Sequence, residues 1–318
     1  MGSSSIGQGW SGAAHKVSEA RLPSPIRVIV RDWLCANHVL LAGSDGTVLI
    51  DTGYCTRAAQ TLALVEEHLR GGRVDLLVNT HCHSDHMGGN AAVQRRHGCR
   101  TLVPAREASL IRAWDQEALW LAYADQRAER FDFDGELQAG ATYRWGDLDW
   151  RMIPAPGHDP GALVFYCEEE RVLISGDALW ERGFGIVMPE APGGLDDAQC
   201  TLETIAALDI DVVVPGHGQP FTGVEAAIER SLGRIDALRE DPVRQARSVL
   251  KAILSFTLLD RGALPLAGLP EYFARVALYR DLNARYFRLP PEQFAELLVT
   301  ALERAGAARR EGGQLLAH

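Results

Sequence analysis

The stretch Thr80-His-Cys-His-Ser-Asp-His-Met-Gly-Gly89 decides the fold, and it directly follows an apolar run at residues 74–79. Such a run is typical of a short buried strand, so the cluster lies on the loop at the carboxyl end of that strand. Three imidazoles and one carboxylate lie within six residues of this loop. Zinc prefers these ligands where no cysteine thiolate is used, so the stretch predicts a metal site. A polar turn that is merely rich in histidine is the alternative, but the whole chain has only ten histidines.

The spacing within this loop divides its ligands between two points. In a sharp turn alternate residues point the same way, so His81 and His83 can converge on one point. Asp85 and His86 can converge on a second point nearby. Cys82 has the opposite parity to its two neighbours, which predicts that its thiol points away from the ligands.

Composition and cysteine usage limit the class of protein. The chain has 318 residues, of which 47% are hydrophobic and 23% charged, as in a soluble globular protein. Its net charge of −10 argues against nucleic acid or an anionic membrane as partner. We expect a small-molecule substrate. The six cysteines form no CxxC pair, which favours reduced thiols. Because we find no apolar signal-peptide core and no run long enough for a transmembrane helix, we expect a cytoplasmic protein.

One pattern recurs along the chain, in which an apolar strand ends in a histidine or an acid. Five such places follow predicted strands: Asp51, the cluster at 81–86, His158, Asp177 and His217. Side chains at the carboxyl ends of strands meet at one edge of an open α/β sheet. A lone histidine after a strand is usually structural, but three further positions after a dense cluster predict one shared site. Asp51 either anchors its own loop or belongs to that site.

The order of predicted elements indicates three regions. Residues 1–24 are rich in Gly and Ser and predict a flexible N-terminal arm. Strands alternate with helices over residues 25–222, which predicts a layered α/β domain that carries the site. Residues 223–318 predict an all-helical C-terminal extension, through which the chain could form a homodimer. Its candidate helices are 224–239, 242–259, 271–287 and 291–305.

A segment at residues 105–130 predicts a helical insertion that is rich in aromatic residues. Its rings either pack helices together or form an apolar wall over the site, and the sequence leaves both open. Five aromatic side chains are candidates for substrate contacts: Trp114, Trp120, Tyr123, Trp180 and Phe184. If they face the site, the substrate is bulky and apolar.

Taken together, five ordered motifs resemble those of the metallo-β-lactamase-fold hydrolase superfamily. They are Asp51-Thr-Gly, the stretch at 80–86, Pro156-Gly-His158, Ser175-Gly-Asp177 and Pro215-Gly-His217. The first long motif is highly specific, and the others are specific as an ordered set. The resemblance covers residues 26–222 and implies an αββα sandwich with two metals at one edge. The chain is most similar to the glyoxalase-II branch, with its thioesterases and lactonases.

The resemblance also implies a role for each motif residue. One metal would be held by His81, His83 and His158. The second would be held by Asp85, His86 and His217, and Asp177 would bridge the two. Asp51 would orient ligands from behind. The nitrogen and oxygen donors suit two divalent ions, with zinc expected and iron or manganese as alternatives.

The implied chemistry is hydrolysis. Two cations a few ångströms apart lower the pKa of a water between them and give hydroxide near neutral pH. Asp85 could then shuttle a proton. The expected substrate is a small ester, thioester or lactone, as in hydroxyacylglutathione hydrolases. The alternatives are a phosphodiesterase or nuclease, a mononuclear iron persulfide dioxygenase, and a regulatory effector that acts through its helical tail.

Overall fold

The computed structural model describes residues 21–318, so most of the predicted arm at 1–24 lies outside the described residues. The chain divides into two compact units. Among the described residues, the first comprises 21–122 and Gln126–Glu240, and the second comprises Tyr123–Asp125 and Asp241–His318. None of the helices in the described part of the chain combines the length and apolar character needed to cross a membrane.

The first unit contains two mixed β-sheets. The strands of the first sheet lie side by side in chain order: β1 (Ile26–Ile29), β2 (His38–Gly43), β3 (Gly46–Ile50), β4 (Leu76–Val78), β5 (Arg100–Pro104) and β6 (Gly135–Leu137). Pairing is antiparallel from β1 to β3 and parallel from β3 to β6. The second sheet contains β7 (Thr142–Trp145), β8 (Leu148–Pro154), β9 (Leu163–Cys167), β10 (Val172–Gly176) and β11 (Val212–Pro215). Its order is β11-β10-β9-β8-β7, and only β10 and β11 run parallel.

Helices cover the outer face of each sheet in this unit. Their bounds are α1 (Ala58–Leu69), α2 (Ser84–Met87), α3 (Asn90–His97), α4 (Ala108–Ala113), α5 (Gly194–Ala206) and α6 (Val224–Glu240). Helices α1 and α3 contribute to a hydrophobic cluster on the first sheet, and α5 and α6 to one on the second. The predicted αββα sandwich is therefore confirmed.

Alternation along the strands explains the layers, because successive side chains of a strand point to opposite faces. Ile50 of β3 and Ile174 of β10 lie in one central cluster with the fully buried Trp150, and this cluster joins the two sheets. Leu49 instead points outward and packs with Val65 of α1. A fourth cluster, which includes Met87, Ile111, Leu119 and Phe131, underlies the segment after β5.

The helical insertion predicted at residues 105–130 is wrong for most of its length, because the segment is mostly not helical. Only Ala108–Ala113 forms an α-helix, and turns follow it. The helix stops because Trp114 adopts the left-handed conformation at φ 53°, and Trp120 does the same at φ 60°. The carboxylate of Asp115 then accepts a hydrogen bond from the amide of Ala118 (3.1 Å), which stabilises a turn in place of a helix.

The second unit is mainly helical, as expected, but it also carries a small sheet. Its helices are α7 (Pro242–Arg261), α8 (Leu269–Arg275), α9 (Ala277–Leu282) and α10 (Pro291–Arg304), with a π-helical turn at Asn283–Phe287. The strands β12 (Ala263–Pro265), β13 (Ala308–Glu311) and β14 (Gln314–Ala317) form an antiparallel sheet in the order β12-β14-β13. Gly312 and Gly313 both have positive φ and close a two-residue hairpin, which explains the strands that we did not predict.

The boundary between the units falls after α6, eighteen residues beyond the boundary predicted from the sequence. Ala227, Ile228 and Ile235 of α6 pack in the outer cluster of the second sheet, so this helix belongs to the sandwich. The next helix begins cleanly, because Asp241 accepts a hydrogen bond from the amide of Arg244 (2.9 Å) at its N-terminus. The predicted helix at 271–287 is divided at Val276, whose backbone is extended.

Candidate metal centre

The histidines and acids singled out in the sequence lie at the carboxyl ends of strands. Asp51 follows β3 directly, and the histidine loop begins two residues after β4. Asp177 follows β10 directly, and His217 lies two residues after β11. Because β3 is parallel to β4 and β10 is parallel to β11, each pair delivers its side chains to one edge of its sheet.

These side chains form two groups, and in each group one donor atom per residue lies within 4.8 Å of the others. The first group contains His81, His83 and His158. The second contains Asp85, His86, Asp177 and His217. The structure thus brings together all seven predicted ligands and divides the histidine loop as its spacing predicts.

The first group consists of three converging imidazoles. His83 Nδ1 lies 2.8 Å from His158 Nε2, and the His81 ring stands at 83° to the His83 ring with 4.7 Å between centroids. His81 is buried, and its Nε2 makes no hydrogen bond to any described residue. A buried nitrogen without a partner is costly in a folded protein unless something absent from the chain itself binds it.

In the second group, Asp177 lies between the two sets of ligands. Its Oδ1 is 3.4 Å from His86 Nε2 and 3.9 Å from His217 Nε2. Its Oδ2 is 3.4 Å from His158 Nε2, which belongs to the first group. Asp85 Oδ2 lies 3.0 Å from His217 Nε2 and 3.7 Å from His86 Nε2. One carboxylate therefore presents a separate oxygen to each group.

Asp51 supports the second group from behind. Its Oδ2 lies 2.8 Å from Nδ1 of His86 and accepts a hydrogen bond from the Thr80 hydroxyl at 2.8 Å. Its Oδ1 accepts hydrogen bonds from the Thr80 amide (3.0 Å) and the Asn79 side chain (3.3 Å). With Nδ1 committed to Asp51, Nε2 of His86 is the nitrogen left to face the site. Asp159 takes a similar position in the first group, with Oδ2 3.5 Å from His83 Nε2.

The electrostatics differ between the two groups. Burial alone would lower the pKa of His86, but the carboxylates of Asp51 and Asp177 outweigh it and raise that pKa well above its usual range, so a metal ion at the second group would displace a proton from this ring. Burial, followed by the neighbouring imidazoles of His86 and His83, holds the pKa of His81 well below its usual range. Burial and His158 lower the pKa of His83 to about 4. Burial alone would raise the pKa of Asp177, but His86 and His217 outweigh it and hold that pKa well below its usual range. Neutral imidazole and ionised carboxylate are the forms that bind metal ions.

The residues present fit a pair of divalent cations. Nε2 of His86, like that of His81, is buried and makes no hydrogen bond within the described chain. The five imidazoles and two carboxylates of the two groups match the nitrogen and oxygen ligands of zinc, and those of iron or manganese. Cys82 is not among these ligands. Its side chain lies in the fourth cluster, pointing away from the ligands as its parity predicts. Burial also raises the pKa of its thiol well above the usual range.

The five aromatic candidates separate into two kinds. The Trp120 ring lies 5.1 Å from that of His83, and the Trp180 ring lies 5.4 Å from that of His217. Trp114 instead meets Phe131 edge-on and packs on the fourth cluster. Phe184 is buried in the outer cluster of the second sheet, and Tyr123 belongs to the second unit, where its carbonyl accepts a hydrogen bond from the Leu278 amide.

Sequence reasoning missed two residues near the site. The Trp33 ring lies parallel to the His217 ring, with 5.2 Å between centroids. It is placed there because the loop after β1 donates two backbone hydrogen bonds, from Ala36 to Asp85 (2.9 Å) and from Asn37 to Gly216 (2.7 Å). Glu107 is the second, a buried acid near Cys82 and Asp159. Neither lies in a motif, so only the tertiary structure reveals them.

The sandwich, its ligand groups and the protein's relatives together define a metal-dependent hydrolase. The chain belongs to the metallo-beta-lactamase superfamily, whose sequence profile matches residues 31–217. It is 26% identical over 268 residues to the hydroxyacylglutathione hydrolase of Methylococcus capsulatus, covering 77% of this chain and 94% of the relative. It is 33% identical over 239 residues to the hydroxyacylglutathione hydrolase of Anaeromyxobacter dehalogenans, covering 70% of this chain and 81% of the relative.

Solved structures show the same fold. A metallo-beta-lactamase family protein from Thermus thermophilus superposes with a TM-score of 0.55 at 21% identity, covering 94% of this chain and all of that chain (100%). The subclass B3 metallo-beta-lactamase BJP-1 of Bradyrhizobium japonicum also gives a TM-score of 0.55 at 21% identity, covering 72% of this chain and 95% of that one. These structures share the fold, and the sequence profile confirms the predicted superfamily.

Proposed function

We propose that this protein is a dinuclear zinc hydrolase that cleaves a small ester, thioester or lactone. The observation that carries the proposal is the position of Asp177, whose Oδ1 faces His86 and His217 while its Oδ2 faces His158. A carboxylate that offers one oxygen to each of two donor groups is suited to bridge two cations. In this proposal His81, His83 and His158 hold one ion, and Asp85, His86 and His217 hold the other.

The bound ions would supply a nucleophilic water of lowered pKa and would polarise the substrate carbonyl. The chain's own residues have two further tasks in this proposal. Asp51 fixes the His86 tautomer, because its carboxylate accepts a hydrogen bond from Nδ1–H and leaves Nε2 facing the site. Asp85 accepts the proton that the water loses and returns it to the leaving group, since its carboxylate lies inside the second group and keeps 11% of its side-chain surface exposed.

The relatives support a thioester as the bond that is cleaved. The two described above are named hydroxyacylglutathione hydrolases, and a hydroxyacylglutathione is a thioester. The chain covers 94% and 81% of the length of these two relatives, so the similarity extends well beyond a single motif. Ester and lactone carbonyls require the same nucleophile and the same polarisation, so they belong to the same proposal.

Metal analysis and a substrate panel test the proposal. Protein loaded with zinc should hold two ions per chain and should hydrolyse at least one of S-lactoylglutathione, a simple thioester or a homoserine lactone. A chelator should abolish turnover and added zinc should restore it. One ion or fewer per chain at saturating zinc, or turnover that survives the chelator, would contradict the proposal. Cleavage of bis-nitrophenyl phosphate alone, or oxygen uptake with glutathione persulfide on the iron-loaded protein, would support the alternatives instead.

A further inference from the structure

The loop that follows β10, residues 178–186, makes several polar contacts with the candidate ligands. Two of them hold Asp177, the acid that lies between the two ligand groups. The Trp180 indole N–H donates to Asp177 Oδ1 at 3.3 Å, and the Gly185 amide donates to the Asp177 backbone carbonyl at 2.8 Å. The loop therefore folds back on the residue from which it starts.

The same loop determines which nitrogen of His158 faces the site. Nδ1 of that imidazole lies 2.5 Å from the carbonyl oxygen of Ile186. A carbonyl oxygen only accepts hydrogen bonds, so in the neutral ring Nδ1 carries the proton and Nε2 carries the lone pair. Nε2 lies 3.4 Å from Asp177 Oδ2, within the ligand set. The Ile186 carbonyl thus has the same relation to His158 as the Asp51 carboxylate has to His86.

Two arginines of α6 hold this loop from the side away from the ligands. Arg230 and Arg234 are four residues apart, so they project from the same face of the helix. Arg230 Nη2 donates to the Glu181 carbonyl (2.7 Å), and Arg234 Nη1 donates to the Phe184 carbonyl (3.1 Å). Carbonyl groups outside regular strands need donors from elsewhere in the chain, and a guanidinium supplies several. Helix α6 therefore anchors the loop at two carbonyls.

Arg234 makes the more extensive of the two contacts. Its guanidinium carbon lies 4.7 Å from the centre of the Phe184 ring, which is buried in the outer cluster of the second sheet. A Cβ at Gly183 would lie 2.6 Å from Arg234 Nη1, so the guanidinium lies directly against the loop backbone. Arg234 is half-buried, whereas Arg230 is exposed. Loss of the Arg234 donor leaves the less accessible carbonyl unpaired, which costs more than loss of an exposed one.

The anchored carbonyl is close in the chain to the carbonyl that orients the imidazole. Only Gly185 separates Phe184 from Ile186. Because two planar peptide units join these residues, a displacement at the Phe184 carbonyl also moves the Ile186 carbonyl. The position of Arg234 is thereby connected to the orientation of the His158 ring.

We propose that Arg234 is a positioning residue for the first ligand group, which acts on His158 through the loop and the Ile186 carbonyl. The inference rests on the proposed function, since the orientation of His158 matters through the ion that its Nε2 would bind. Without the guanidinium, the Ile186 carbonyl can move away and the imidazole can rotate or change tautomer. The ion at the first group should then bind more weakly. The second group should change less, because its histidines come from other loops.

A zinc titration in competition with a chromophoric chelator tests the inference. Arg234→Met keeps a long side chain and removes the donors and the charge. It should weaken one of the two zinc ions by about 10-fold, which is the lower end of the effect of partners that contact a ligand directly. Arg239→Met is the matched control, because Arg239 lies on the same helix and pairs with the exposed Asp196 at 2.7 Å. It should bind both ions as wild type does.

The background variant His158→Ala separates positioning from stability. In that background the loop has no imidazole to orient, so Arg234→Met should not weaken zinc binding further. Equal losses of zinc affinity with and without His158, or no loss in Arg234→Met, would overturn the inference and leave the proposed function intact. If Arg234→Met fails to fold, Arg234→Lys takes its place. Its expected loss is about 3-fold, because an ammonium group does not reproduce the planar guanidinium contact.

Nitrogen NMR of the imidazoles supplies a second measurement that needs no metal. In the metal-free protein at pH 8, the His158 proton should reside on Nδ1, and Arg234→Met should shift the population towards the Nε2-protonated tautomer. If the wild-type protein binds one zinc ion or none, the proposed function fails and this measurement alone decides. A His158 tautomer that is the same in wild type and in Arg234→Met would then overturn the inference.

Discussion

Asp51 Oδ2 lies 2.8 Å from Nδ1 of His86, which leaves Nε2 as the nitrogen of that imidazole that faces the second group. The variant Asp51→Asn tests this arrangement. Asn tolerates the left-handed backbone of position 51 (φ 56°), and its carbonyl can still accept from the Thr80 amide. Its NH₂ group then faces His86 and favours the tautomer with the proton on Nε2. We expect zinc affinity in a competition titration to fall by about 10–100-fold.

The control for that experiment is a second acid that supports no ligand. Asp209 is exposed and pairs with Arg171 at the surface, so Asp209→Asn should leave zinc affinity unchanged. Wild-type affinity in Asp51→Asn would mean that the carboxylate anchors its loop only. That was the other interpretation of Asp51 available from the sequence.

Asp177→Asn tests the bridge between the two groups. The substitution keeps the size of the side chain but removes its charge and one oxygen, so the two donor groups lose their shared ligand. We expect the zinc content at saturation to fall from two ions to one or fewer per chain. Thioester turnover should fall by more than about 100-fold, because even outer partners of ligands cost up to that factor. Atomic emission and thiol release measure the two effects, and an unchanged thermal transition of the metal-free protein would show that folding is intact. Two ions retained per chain would exclude a bridging role.

The histidine loop was predictable because its information is local. His81, His83, Asp85 and His86 lie within six residues, and the parity of a turn is enough to divide them into two pairs. His158, Asp177 and His217 were predictable because each follows a strand, and parallel strands deliver their ends to a common edge. The ordered motifs then gave the superfamily and with it the sandwich.

What the sequence did not reveal depends on long-range contacts. Trp33 reaches His217 only because the loop after β1 is held by two backbone hydrogen bonds. Ala36 donates to Asp85, 49 residues further along the chain, and Asn37 donates to Gly216, 179 residues further along. Phe184 looked equivalent to Trp180 in the sequence, yet it turns into the outer cluster beneath the guanidinium of Arg234. Periodicity distinguishes buried from exposed faces but does not say which aromatic ring borders a site.

Glu107 gives a prediction about stability and pH. The acid is 3% exposed, and burial followed by the charge of Asp159 raises its pKa well above 4.5. The folded protein therefore keeps a proton on Glu107 that the unfolded chain loses above pH 4.5. Because the folded state binds the extra proton, the free energy of unfolding decreases as pH rises from 4.5 towards the raised pKa. Glu107→Gln keeps the neutral shape and removes the titration. The difference in thermal midpoint, variant minus wild type, should therefore increase from pH 5 to pH 8.

The matched control for Glu107→Gln is Glu117→Gln, which removes the same charge from an exposed position. Its thermal midpoint should follow that of wild type at both pH values. Parallel behaviour of Glu107→Gln and wild type across the same range would contradict a neutral buried acid at position 107.

Gly185 provides a purely steric test of the first group. Its amide donates to the carbonyl of Asp177 (2.8 Å), and a Cβ at this position would lie 2.6 Å from His158 Nδ1 and 3.0 Å from the Asp177 Cβ. Gly185→Ala must therefore displace the His158 ring. Because a displacement of about 1 Å in a catalytic group can cost 100-fold in rate, we expect a loss of roughly that size in kcat/KM, together with weaker zinc binding.

Gly233→Ala is the control: it lies on the exposed side of α6 with nothing within 4 Å of the added Cβ. That variant should keep full activity and gain about 0.5–1 kcal/mol of stability, as alanine does over glycine in a helix. Full activity in Gly185→Ala would show that His158 need not hold its observed position for turnover.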